Sequence, residues 1–142
     1  MAENKNEARI PETWDELKAN PMFEDIPDMV EPQELTVSQS AVFSVTDTRI
    51  DQRRIKLVNL GVFDQTSDRE YDPEEASILL AEIVEYADGY FRQLAKKPKE
   101  WDTWLKGRDL FTLFLIFLNL TVFYRQALGK SDASKTRSTS AE

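Results

Sequence analysis

The chain has 142 residues, 26 of them acidic and 18 basic, for a net charge of −8, and it contains neither cysteine nor histidine. That length supports one domain with a real core, while the missing residue types remove Cys/His zinc sites, any Ser-His or Cys-His relay and every disulfide. Four glycines are too few for phosphate-cradling loops, and an acidic chain without a basic stripe suits neither nucleic acid nor an anionic membrane surface.

Residues 1–34 form an acidic head, with ten acidic and three basic side chains in the first 40 positions and four of the six prolines. Its apolar residues (Trp14, Leu17, Met22, Phe23, Ile26, Met29, Val30) follow no period. Composition predicts a largely disordered arm; the competing expectation is that Trp14–Leu17 and Met22-Phe23 dock on a neighbour as a short helical motif. The start, Met1-Ala2-Glu3-Asn4-Lys5, lacks the basic opening and apolar run of a secretory signal.

A helical domain is expected over residues 35–129. Leu35–Val45 alternates partially and is rich in β-branched side chains, which predicts a short strand or extended connector. Residues 47–60 read as a helix capped by Thr46 or Asp47 and ended by Gly61. Asp64–Arg69 reads as a polar loop. The clearest helix covers 73–96: Asp72 caps it, Pro73 takes the first position, and Glu75 suggests a capping box. Ala76, Leu80, Ile83, Ala87, Tyr90 and Leu94 then form one stripe, widened by Leu79, Val84 and Phe91, before Lys96, Lys97 and the stop at Pro98. Lys99–Lys106 predicts a short helix with Trp101 and Trp104 on one face.

Residues 108–128 form the unusual helix. Leu110–Tyr124 is apolar nearly all round, with Thr112, Asn119 and Gln126 making one narrow polar stripe. Gly129 is a natural stop, and residues 130–142 read as a disordered Ser/Thr-rich tail. The apolar run is short for a bilayer and is bounded by Arg108-Asp109 and Arg125. Burial as a core helix and coverage by a partner both fit such a surface. The fold expected is therefore a small all-α domain of about three to four helices, with the arm and tail disordered.

No carboxylate cluster replaces the missing Cys and His, so no catalytic, cofactor or metal site is expected; the function expected is protein–protein binding. The candidate partner-binding residues are Phe111, Phe114, Phe117, Leu118, Phe123 and Tyr124, joined by Trp101 and Trp104.

From Tyr71 to Ser134 the chain resembles the tail assembly chaperones of long-tailed phages, the lambda G-type proteins, especially those of phages infecting actinobacteria. The features that carry the likeness are the acidic head, the opening Asp72-Pro73-Glu74-Glu75, and the aromatic connector Trp101-Asp102-Thr103-Trp104-Leu105. The apolar helix ending Arg125-Gln126-Ala127-Leu128-Gly129-Lys130-Ser131 completes the pattern, although it is more hydrophobic than that family leads one to expect. The resemblance implies a protein of the host cytoplasm that keeps the tape measure protein soluble. It also implies recruitment of the tail tube protein through a longer form made by ribosomal frameshifting, and absence from the virion. Leu128-Gly129-Lys130 can be written CUG-GGA-AAA, which contains a slippery heptamer, and Gly-Lys is equally an ordinary helix stop. The rival expectations are an oligomeric scaffold or adaptor that uses the apolar helix as its subunit interface, a homo-oligomer therefore, and an acidic DNA mimic built on the head.

Overall fold

The computed structural model describes residues 10–64 and 70–140, with side chains described as far as Gly129. The polar loop expected at 64–69 lies outside the described residues apart from Asp64. Five helices and two 3₁₀ turns make up the described chain, and none of it forms a strand.

The head is ordered from Thr13 onward, which corrects the expectation of a largely disordered arm over residues 1–34. Helix α1, Trp14–Lys18, is capped by Thr13, whose Oγ1 accepts from the Glu16 N–H at 3.1 Å. A 3₁₀ turn at Pro21–Phe23 is capped by Asn20, and a second at Pro32–Glu34 sits in a Glu31/Glu34 capping box. Leu17, Phe23, Ile26 and Met29 are all buried. Proline breaks and single turns let each apolar side chain reach the core separately, so the strap buries surface without any period a helix or strand would show. Its end is pinned where the Val30 N–H donates to the Leu94 carbonyl at 2.9 Å and the Lys96 N–H to the Asp28 carbonyl at 3.0 Å.

Helix α2 covers Val37–Leu60, ten residues longer than the expected helix at its start, and Leu35–Val45 is not a strand. Thr36 and Gln39 form a reciprocal capping box, which outweighs the β propensity of the valines that follow. Gly61 closes the helix at φ 89°, a left-handed conformation that a Cβ would penalise.

Helix α3, Pro73–Leu94, begins as expected, with Asp72 Oδ1 accepting from the Glu74 N–H at 2.9 Å. Its expected stripe is buried at Ala76, Leu79, Ile83, Ala87, Tyr90, Phe91 and Leu94. It runs antiparallel to α2, since the Tyr90 hydroxyl donates to the Gln39 carbonyl at 2.7 Å and Arg53 stacks on Tyr86 and pairs with Glu82. Helix α4 is Pro98–Leu105, and Gly107 at φ 83° turns the chain into α5.

Helix α5 spans Leu110–Ser140. The helix passes through Gly129, which is therefore not its stop. One glycine costs a helix only about 1 kcal/mol, which the turns on either side of it absorb. The inner face of α5 meets α2 and α3 in an aromatic core. Phe91 stacks on Phe117 at 6.4 Å and lies 5.1 Å from Tyr124, while Phe43 lies 6.1 Å from Tyr124. The segment Leu110–Gly129 is long and apolar enough to cross a membrane by length and composition alone. In this fold its most deeply placed side chains, including Phe117, Leu120 and Tyr124, make the protein's own core.

Candidate partner-binding surface

The apolar helix does not present its aromatic residues to solvent as a set. Trp101, Phe114, Phe117, Phe123 and Tyr124 are each at most 3 % exposed, so these five are corrected from partner-binding residues to core residues. Trp101 sits under α3 and donates from Nε1 to Asp88 Oδ1 at 2.7 Å. Phe123 is covered by Trp14 of the head at 6.1 Å. The Tyr124 hydroxyl donates to the Val30 carbonyl at 2.6 Å. The same burial withdraws the inner face of this helix from a scaffold's subunit interface.

Three of the expected residues keep accessible surface. Trp104 is half-buried beside Phe23 at 6.3 Å, with the Arg108 guanidinium 5.3 Å from its ring. Together with Asp25, Pro27, Lys99, Glu100 and Thr103 it lines a cleft of about 470 Å³. Phe111 is 47 % exposed, and Leu118 is half-buried.

Phe111 and Leu118 belong to a longer apolar strip along α5. Leu115 and Val122 are half-buried too, and the order Phe111, Leu115, Leu118, Val122 steps by four, three and four, which keeps all four on one side of α5. At one end Phe63, itself 43 % exposed, stacks on Phe114 at 5.9 Å with the rings 12° apart. Phe111 lies 5.9 Å from the same ring, so two half-open phenylalanines flank a buried one. At the other end the Arg125 guanidinium grips Asp47 through contacts of 2.7–3.1 Å, and this carboxylate holds Arg125 above its ordinary pKa. Phe63 follows the Gly61 stop, and nothing in its local sequence reveals that it reaches α5.

The polar side of α5 points outward. Asn119 and Gln126 are exposed, Thr112 is half-buried, and the Asn119 amide donates back to the Leu115 carbonyl at 2.8 Å.

No family model, curated protein or solved structure matches this chain.

What the strip can do follows from its chemistry. It offers apolar contacts at helical spacing, about 16 Å from first to last at 1.5 Å per residue, with an ion pair at one end. An amphipathic helix laid along it would bury its own i, i+3/i+4, i+7 positions. Among the described residues no three of His, Cys, Asp and Glu gather as a metal site would require.

Proposed function

We propose that this protein is a tail assembly chaperone of a long-tailed phage, which binds the tape measure protein in the host cytoplasm and keeps it soluble until the tube forms around it. The observation that carries the binding role is the accessible strip Phe111–Leu115–Leu118–Val122 with Phe63 beside it. An apolar surface at helical spacing on an acidic domain suits an amphipathic helix better than it suits water. The choice of client rests on the resemblance over Tyr71–Ser134. A tape measure protein is long, helical and apolar, and unassembled it needs such a cover. Recruitment of the tail tube protein belongs to a longer, frameshifted form. The excess of acidic side chains keeps the complexes mutually repelling and in solution.

Co-expression with a candidate tape measure protein tests the reading. The wild-type chain should raise the soluble yield of that protein and copurify with it. Leu118→Glu and Phe111→Asp should each weaken the complex by at least about tenfold, or about 1.4 kcal/mol, with unchanged circular dichroism, because Phe111 is 47 % exposed and Leu118 packs only at the edge of the core, half-buried. Unchanged solubility of the client with wild-type chaperone, or binding indifferent to both substitutions, would overturn the proposal.

A further inference from the structure

Helix α2 carries a second unpartnered face, on the side away from its own core. Its 24 residues extend about 36 Å. Ser38, Val45, Gln52 and Asn59 recur every seven residues, as do Ala41, Thr48 and Ile55 between them. All seven are exposed, with Val45 at 51 % and Ile55 at 45 %, and none is charged, although charged residues make up 31 % of the chain. The outer face of α3 differs, since it exposes Glu74, Glu75, Glu85 and Arg92. Alternating three- and four-residue steps over three heptads have the spacing of a coiled-coil seam, here with Ala41, Val45 and Ile55 as its apolar positions and Ser38, Thr48, Gln52 and Asn59 as polar ones. Phe43, Ile50 and Leu57, which anchor α2 to the rest of the fold, are buried on the opposite side. The core therefore lies on the far side of α2 from the seam, while Arg125 of α5 reaches round to line a pocket with Thr48 and Gln52.

We infer that this face binds the same face of a second copy, forming a parallel, in-register dimer through α2. Three features select that occupant. The amides of Gln52 and Asn59 can each donate and accept, so in register each pairs with its own counterpart, as polar residues at one seam position do when they fix a parallel register. Residues flanking the seam match across a parallel pair at an offset of five: Val37 meets Val42 of the second copy, and Asp51 meets its Lys56. Val37 is 88 % and Val42 50 % exposed in the single chain, so that first contact covers two of the most exposed apolar side chains. Asp51 can serve both neighbours, because Arg54 makes both its bonds to Oδ1 and Oδ2 can take the lysine. An antiparallel pair centred on this helix would instead set Arg49 against its own copy.

Sedimentation equilibrium of the full chain should give twice the monomer mass. Val45→Glu with Ile55→Glu should halve that mass while leaving the circular dichroism unchanged, both positions being exposed. The chain has no cysteine, so Ser38→Cys and Asn59→Cys, made singly, report the register. Each should oxidise to a disulfide-linked dimer, whereas antiparallel helices would hold either position far from its copy. A monomer at every concentration, a dimer that survives the double substitution, or failure of both single-cysteine variants to cross-link would overturn the inference.

Discussion

Tyr124 is a side chain on which three parts of the chain depend. Its ring packs against Phe91 of α3 and Phe43 of α2, and its hydroxyl closes the head by donating to the Val30 carbonyl at 2.6 Å. Burial pushes its phenol above the ordinary tyrosine range and raises Tyr90 to about 12. Both pKa values are higher folded than unfolded, where a tyrosine titrates near 10. Their contribution is therefore fully present below about pH 10 and is lost as pH rises through 10 toward 12 and beyond, where the unfolded chain releases protons that the folded chain keeps. The stability lost above about pH 10 should be smaller in Tyr124→Phe than in the wild type. At neutral pH the same variant should be about 1 kcal/mol less stable, because the Val30 carbonyl loses its donor. Denaturant midpoints of both proteins across this range measure the difference, and parallel profiles would show that the phenol ionises as freely folded as unfolded.

At the scale of single elements, α2 depends on its first turn. Valine is a weak helix former, and Val37, Val42 and Val45 are all exposed, so packing does not compensate for them within one chain. Thr36→Ala removes the Oγ1 acceptor of the Gln39 N–H at 3.1 Å and should cost about 1 kcal/mol. Amide exchange should quicken over residues 37–42 before it does elsewhere; an unchanged midpoint and uniform exchange would show that the helix does not rely on this cap. The same turn explains what was legible. Asp72-Pro73 and the following stripe announce α3 because cap, propensity and period agree there. In Leu35–Val45 the β-branched residues argue for a strand, and only the Thr36-Val37-Ser38-Gln39 box argues for a helix start, so propensity alone misleads. Phe111 and Leu118 could be picked from the sequence, and Leu115 and Val122 from their spacing. The burial of Phe114, Phe117 and Phe123 could not be. A helix apolar all round does not encode which side its neighbours cover, and part of that cover comes from a head with no period to read.

For the whole molecule, the head decides how much of α5 a partner can reach. Trp14 lies over Phe123, Phe23 over Trp104, and the Val30 carbonyl holds Tyr124. Leu17, Phe23, Ile26 and Met29 are nearly without exposure, and burying each is worth about 1.5–3 kcal/mol. Together that is comparable to the whole stability of an ordinary domain, about 5–15 kcal/mol. Deleting residues 1–34 should therefore lower the melting temperature steeply or abolish the cooperative transition, and should raise the binding of a hydrophobic dye as the aromatic face opens. Charge can be separated from packing in the same experiment. Glu24, Asp25 and Asp28 are exposed, so replacing them with Gln or Asn should leave the melting temperature nearly unchanged, whereas Phe23→Ala alone should cost about 3–5 kcal/mol. A truncated chain that melts like the full one and binds no additional dye would mean that the head supplies charge and nothing else. The expected result instead makes the acidic segment a structural strap: its apolar side chains complete the core, its carboxylates face water, and the α5 strip is the surface it leaves open.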